Sequence, residues 1–219
     1  MKNYFYSFSL LLAIGTAIIV FNSCNRDEPI PITPTTDPGV VIDGVRWATR
    51  NVDMPGTFAE NPESLGMFYQ WGRNIGWSST DPLINSNGGT EWDGIHTGNT
   101  WWTRANDPCP QGWRVPTLTE LEKLADIDNV ATEWIAINGV SSRVFTDRAT
   151  NNSIFLPAAG RRRFANGALF DAGDSGYYWS STYLGTLYGH RLWFSTFVYA
   201  GDIAYFRSDG FSVRCVSDD

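Results

Sequence analysis

Three cysteines, Cys24, Cys109 and Cys215, have the most definite chemistry in the sequence. Cys24 follows Ser23, after an apolar or small run from Leu10 to Phe21. This run is too short for a confident membrane-spanning helix and suits the hydrophobic region of a signal peptide. A small residue before a cysteine at this position resembles a lipobox, which predicts cleavage before Cys24 and lipidation of its thiol. The alternative is ordinary signal cleavage that leaves Cys24 unpaired.

Cys109 and Cys215 remain as an even pair once Cys24 carries a lipid. In an exported protein such a pair predicts a disulfide. The bond would close a loop of roughly a hundred residues, which the chain-entropy account values at about 4 to 5 kcal/mol. A metal site or a catalytic thiol pair is the competing interpretation. It lacks neighbouring histidines, because the sequence contains only His96 and His190.

Catalytic motifs are weak in this sequence. It has no GxSxG motif, no P-loop and no GxGxxG motif after a strand. Carboxylate pairs for glycosidic cleavage could be drawn from many positions, and none is singled out. Asn85, Asn87, Glu91 and Asp93 could supply oxygens to calcium, but a solvated acidic loop is the favoured interpretation. We therefore expect no enzyme, no catalytic residue, no metal site and no cofactor.

The composition restricts the possible partners. The net charge is −7, and of sixteen basic residues only Lys2 and Lys123 are lysines. A chain this acidic is not expected to bind nucleic acid or anionic lipid through general electrostatics. The ten tryptophans suit sugar ligands, because the C–H faces of a sugar ring stack on indole. We expect a surface ligand, either a glycan or a host or neighbouring protein, and membrane contact through the lipid alone.

The clearest local structure is predicted from Asp107 to Leu124. Cys109 lies between two prolines, which hold its backbone extended. Thr117 and Glu120 have the spacing of a capping box, which begins a helix. The apolar residues that follow fall on one helical face. We expect this stretch to stabilise the fold rather than to contact a ligand.

Short antiparallel strands are predicted through the rest of the domain. Turn signals at Asp43-Gly44 and Ala165–Gly167 indicate hairpins, and a further hairpin is predicted to turn at Ala200–Asp202. Gly176–Ser180 has the apolar run of a core strand. Val130–Ile137 is ambiguous and suggests a second short helical turn. Two helices with many short strands indicate an α+β fold.

A long segment from Arg73 to Asn106 has no clear period. Loops of this length inside a domain are usually functional or disordered, and its four tryptophans argue against disorder. Binding residues tend to lie on loops that a rigid scaffold holds in place. The predicted ligand-binding residues are therefore Trp77, Glu91, Trp92, Asp93 and Trp101, with the rings for stacking and the carboxylates as acceptors. Core packing is the alternative for each tryptophan.

The basic run Arg161-Arg162-Arg163 has two interpretations. In a strand, Arg161 and Arg163 would share one face and Arg162 would take the other. The run is then either a solvated edge strand with ion pairs or a contact for a small anion or an acidic sugar.

Four ordered motifs resemble the Fibrobacter succinogenes major paralogous domain, from about Val41 to Val216. They are DPCPQGWRVPT, LPAAGRRR, YWSST and FSVRCV. That family is common in surface lipoproteins of Bacteroidetes and Fibrobacteres, and its ending is similar to the C-terminal domain of Legionella collagen-like proteins. The resemblance implies a C-type-lectin-like fold, with the long loop in the ligand-binding position. Formylglycine-generating enzymes are related in fold but use a late cysteine pair, whereas here Cys215 is already committed to Cys109.

The predicted organisation has three parts: a signal peptide at 1–23, a lipidated cysteine with a Pro/Thr-rich tether at 24–40, and one domain at 41–219. The prolines between Pro29 and Pro38 predict an extended tether that spans roughly 30 Å. The acidic pair Asp27-Glu28 resembles the export signal of Bacteroidetes lipoproteins. We therefore expect a lipid-anchored protein of the outer membrane, exposed at the cell surface. Its domain would act in adhesion or in glycan or protein recognition, or alternatively as a structural or tip subunit of a surface appendage.

Overall fold

The structure, a computed structural model, describes residues 36–95 and 101–219, apart from the side chains of 202 and 203. The predicted signal peptide, Cys24 and nearly all of the tether lie outside these residues. The described part of the chain contains fifteen strands and one helix. None of its helices is long and apolar enough to cross a membrane.

The strands, in chain order, are β1 (Val40–Ile42), β2 (Val45–Trp47), β3 (Met67–Gln70), β4 (Gly76–Ser78), β5 (Trp113–Arg114), β6 (Val130–Ile137), β7 (Val140–Asp147), β8 (Ser153–Pro157), β9 (Arg161–Arg162), β10 (Leu169–Phe170), β11 (Gly176–Leu184), β12 (Tyr188–Phe194), β13 (Val198–Phe206), β14 (Gly210–Phe211) and β15 (Val216–Ser217); the helix α1 is Leu118–Leu124. They form four sheets with the orders β1-β2-β15-β5, β10-β9-β14-β3-β4, β11-β12-β13 and β6-β7-β8. The fold is thus nearly all-β and sandwich-like, and the predicted α+β, C-type-lectin-like class is wrong.

The main cause of this error is the segment Val130–Ile137, which is the strand β6 and not a helical turn. It pairs with β7 over its whole length, from Val130↔Asp147 to Ile137↔Val140. The two strands are joined by Asn138 and Gly139, whose φ values are 51° and 81°. A two-residue turn with both φ values positive matches the right-handed twist of a hairpin.

Two of the predicted hairpins are confirmed and one is wrong. Asp43-Gly44 joins β1 to β2, and β9 pairs with β10 across the Ala165–Gly167 turn. The hairpin of β12 and β13 turns between Phe194 and Val198, not at the predicted Ala200–Asp202. Gly201 instead lies inside β13, opposite Arg191, next to a change of register.

The strand β11 separates two large apolar cores. Tyr178 packs in one core, together with Leu192 and Phe194, whereas Tyr177 and Trp179 pack in the other. Successive side chains of a strand point to opposite faces. An unbroken apolar run at the start of β11 is therefore what a strand buried on both sides requires.

The predicted capping box and disulfide are both confirmed. The Thr117 side chain accepts a hydrogen bond from the Glu120 amide at 3.3 Å, and the Thr117 amide donates to the Glu120 carboxylate at 2.7 Å. Cys109 and Cys215 are bonded, with a sequence separation of 106. The bond joins two segments that lead into paired strands, since β15 lies beside β5.

Candidate functional site

Of the tryptophans predicted to bind ligand, Trp77 lies in the interior of the domain and Trp92 is half-buried beside it. Trp77 is 4% exposed, and its ring packs edge-on against Trp92 at a centroid distance of 4.9 Å. The indole nitrogen of Trp92 donates to the carbonyl of Phe164 at 2.8 Å. Trp77 thus follows the core-packing alternative and offers no ring face to a ligand in this structure. Half-buried Trp92 fixes the β9–β10 hairpin against the loop.

The other predicted residues are more exposed but lie apart from that pair. Trp101 is 53% exposed and stacks on Tyr183 at 4.0 Å, so it belongs to a different ring cluster. Glu91 is exposed. Asp93 accepts a hydrogen bond from Arg73 at 2.8 Å, which occupies one of its carboxylate oxygens. A ligand role for the loop stays a prediction.

The basic run is divided between interior and surface. Arg162 is 1% exposed and donates to the carbonyls of Ser78 and Gly167 at 3.1 Å and to Asp81 at 2.8 Å. It is therefore a structural residue. Arg161 forms an ion pair with buried Asp209 at 3.1 Å, and Arg163 is the exposed member of the run.

A cleft of about 720 Å³ opens beside the β6–β7 hairpin. Its volume is in the range of small-molecule sites. Trp134 and Arg143, which both line it, are a directly opposed cross-strand pair. Seven residues line it: Trp134, Ser141, Arg143, Gly173, Asp174, Ser195 and Thr196.

Trp134 is 38% exposed, although it stands in a regular strand. Its ring approaches the buried ring of Phe194 edge-on, at a centroid distance of 6.3 Å. Phe194 belongs to the apolar core with Phe145 and Leu192. Trp134 is therefore an exposed aromatic platform whose support is the core itself.

Arg143 is fixed by three hydrogen bonds. One terminal nitrogen donates to the carbonyls of Ser195 and Thr196 at 2.9 and 3.1 Å, and the other donates to the Thr132 hydroxyl at 2.8 Å. Burial lowers the pKa of the Arg143 guanidinium, which still stays charged at neutral pH. Within the described residues no carboxylate pairs with it.

Asp174 supplies an acceptor from a tight turn. The turn needs positive φ values at Asp171 and Gly173, of 58° and 84°. Gly173 donates its amide to the carbonyl of Ala158 at 2.8 Å, which ties the turn to the end of β8. Asp174 is exposed and has no ion-pair partner in the part of the chain that the structure describes. The cleft therefore combines one flat apolar ring, one cation, one anion and several hydroxyl groups.

A second cavity, of about 230 Å³, lies where the long loop ends. Arg104 on its wall pairs with Asp218 at 3.4 Å, and Arg114 pairs with Glu120 at 2.7 Å. Its arginines are thus already neutralised by protein carboxylates. This cavity is a weaker candidate than the cleft, where neither Arg143 nor Asp174 forms an ion pair with another described residue.

Metal ligands do not cluster in the described residues. No group of three or more histidine, cysteine, aspartate or glutamate side chains among them could hold a metal ion. His96 and the four residues after it lie outside the described part.

Sequence reasoning missed the cleft, although one signal for it was present. Asn138-Gly139 is the strongest short hairpin signal, and it fixes the register that places Trp134 opposite Arg143. The contribution of Asp174, by contrast, depends on long-range packing between the Gly173 turn and β8. No local pattern encodes that contact.

Comparison with known proteins identifies the family of the chain. The profile of the Fibrobacter succinogenes major domain matches residues 40–217. No curated protein and no solved structure matches the chain. The matched residues cover almost the whole of the described domain, including the cleft, the capped helix and the disulfide, and the chain therefore belongs to the Fibrobacter succinogenes major domain family.

Proposed function

We propose that this chain is a surface recognition protein that holds its ligand in the cleft beside the β6–β7 hairpin, without catalysing a reaction. The observation that carries the proposal is the exposed Trp134 ring opposite Arg143, with the unpaired Asp174 on the same cleft. Ligand pockets are typically lined by aromatic side chains together with a few placed polar or charged groups, which is the combination that this cleft presents. The family match agrees with a surface-type domain.

A recognition role is preferred to a structural role in an appendage. An exchangeable subunit needs a terminal strand that can leave its own domain. The first strand, β1, pairs inside this chain with β2, from Val40↔Trp47 to Ile42↔Val45. The proline-rich tether before it is a poor donor strand, because proline lacks the amide that a ladder needs.

The location proposed for the protein is the outer membrane, with a lipid on Cys24. The support is the sequence around Ser23-Cys24 and the acidic pair that follows it. We expect Cys24→Ser to move the full chain from the membrane fraction to the soluble fraction. Equal partitioning of the variant and the parent protein would contradict the anchor.

Ligand binding can be tested with the full chain, purified in detergent and immobilised. The probes are an array of glycans together with an array of surface proteins. Trp134→Ala should strongly weaken the binding signal, while Trp101→Ala, the matched change in the long loop, should keep it. Thermal midpoints of both variants show that each is folded.

The outcomes distinguish the cleft from the long loop as the binding surface. Binding that depends on Trp101 and not on Trp134 would move the site to the long loop and contradict the cleft. Binding of no probe in either array would contradict a recognition function of this kind.

A further inference from the structure

We infer that the cleft binds a neutral oligosaccharide chain, with one sugar ring stacked on Trp134 and its hydroxyl groups shared between Arg143 and Asp174. This inference rests on the proposed function of the cleft and names its ligand class. It is carried by the chemistry of the walls and by a second opening that adjoins the cleft.

The first step concerns the ring. The Trp134 ring makes an edge-to-face contact with Phe194, is 38% exposed and lines the cleft. Sugar rings present C–H faces that pack on such a surface. The flat apolar area is a single indole surrounded by polar groups, which matches one sugar ring better than an extended apolar ligand.

The second step concerns the polar groups. Arg143 can only donate hydrogen bonds, Asp174 can only accept them, and Ser141, Ser195 and Thr196 can do both. Adjacent sugar hydroxyls likewise donate and accept. A polyanion would be repelled by Asp174, and an apolar ligand would bury the Asp174 carboxylate without a partner. The walls therefore favour a neutral polyol.

The third step concerns length. Another cavity, of about 190 Å³, shares Ser141 and Gly173 with the cleft. Its other walls include the small residues Gly139, Ala158 and Ala172. Small residues leave room for a further unit next to the one on Trp134. We therefore expect a chain to bind more tightly than a single sugar.

The probes for the test are neutral homo-oligosaccharides with gluco, manno and galacto units, from monosaccharide to hexasaccharide. Uronic acid oligomers, sulfated glycans and a peptide library serve as the contrasting classes. The full chain should bind at least one neutral series, with affinity that rises with chain length. Trp134→Ala should weaken that binding by roughly 10- to 100-fold.

Two further variants test the details. Asp174→Asn should weaken binding less than Trp134→Ala, because the amide keeps one acceptor. Ala172→Tyr fills the second cavity from an exposed position and should remove the gain from chain length while leaving the shortest ligand bound. Trp101→Ala is the control and should bind as the parent protein does.

The possible failures are distinguishable. Trp134-dependent binding of acidic glycans or peptides alone would overturn the saccharide class and leave the recognition function standing. Equal affinity for a monosaccharide and its hexasaccharide would overturn the inference that the ligand is an oligosaccharide chain. No Trp134-dependent binding to any class, in variants with an unchanged thermal midpoint, would overturn both this inference and the proposed cleft function.

Discussion

Buried arginines are a feature of this domain at the scale of single residues. Arg162 and Arg214 are each 1% exposed. Arg214 donates to Asn51 at 3.0 Å and to the carbonyls of Ala48 and Phe155 at 3.1 and 3.3 Å. The planar, rigid fork of a guanidinium can meet several such acceptors at once, which an ammonium group cannot do as well. The scarcity of lysine in the sequence agrees with this use of arginine as an interior crosslink.

The first prediction concerns Asp209, a buried carboxylate beside Arg161. One of its oxygens accepts hydrogen bonds from Arg161 and from the Phe164 amide at 3.1 and 3.0 Å, and the other has no partner in the described structure. Burial raises its pKa from 3.8 to about 6, although Arg161 partly offsets the rise. A raised pKa means that the folded state binds this proton more tightly than the unfolded state. The stability that the proton contributes is therefore complete below about pH 4 and lost as the pH rises through 6.

The measurement compares the free energy of unfolding of the parent protein and of Asp209→Asn across this range. Subtracting the two curves removes the titration of the other groups, such as Asp37 and Glu120, whose pKa values are lowered. The parent protein should lose up to about 3 kcal/mol relative to the variant between pH 4 and pH 7. If the free energy of unfolding of the parent protein minus that of the variant stayed constant or increased with pH, the burial of an ionised Asp209 would be contradicted.

At the scale of elements, the sequence predicts what short-range chemistry determines. The capping box at Thr117, the hairpin at Asp43-Gly44 and the core strand of β11 follow from residues that are neighbours in sequence. Val130–Ile137 was misassigned because its burial alternates weakly, so an edge strand and a short helix look alike. The Asn138-Gly139 turn resolves that ambiguity, since it requires a partner strand on each side.

The exposure of the individual tryptophans could not be predicted from the sequence for a related reason. A loop rich in tryptophan suggests an exposed binding surface, but the sequence does not say which rings the core takes. Both tryptophans stand in edge strands, since β4 and β6 each end the order of their sheet. Trp77 is buried because Phe68 and Trp92 pack around it. Trp134 contacts the ring of Phe194 and stays 38% exposed. Exposure thus depends on tertiary contacts and not on the position of the strand in its sheet.

The second prediction concerns the start of helix α1. Thr117 caps the helix, and Glu120, the other half of the capping box, also holds Arg114 through two hydrogen bonds at 2.7 and 2.8 Å. Thr117→Ala should lower the free energy of unfolding by about 1 kcal/mol, because it leaves the amide of Glu120 without its acceptor. The matched control is Thr119→Ala, an exposed position two residues later, which should change stability little. Equal effects of the two changes in denaturant titrations would rule out a capping role.

At the scale of the whole molecule, the disulfide joins the middle of the described domain to its end. Cys109 and Cys215 both pack in the core that contains Trp71 and Trp179. The segment around Cys215 is also held without the bond, since its carbonyl accepts from Ala48 at 2.9 Å and β15 pairs with β2 and β5. Two effects can therefore be separated: the hydrogen bonds position the last strand, and the covalent bond restricts the unfolded chain.

The third prediction follows from this separation. Replacing both Cys109 and Cys215 by alanine should lower the free energy of unfolding by about 4 to 5 kcal/mol, since the closed loop is long. For a domain of this size the thermal midpoint should fall by roughly 10 to 20 °C. The near-ultraviolet circular dichroism of the folded variant should resemble that of the parent protein, because the strand pairings remain.

Reductant supplies the control for this third prediction. It should lower the thermal midpoint of the parent protein towards that of the double variant and leave the double variant unchanged. If the parent protein were insensitive to reductant under conditions in which mass spectrometry shows both thiols free, the covalent bond would contribute nothing to stability. If the double variant lost its folded signal at low temperature, the bond would position β15 itself, and the hydrogen bonds to Ala48 and β2 would be insufficient to hold the strand.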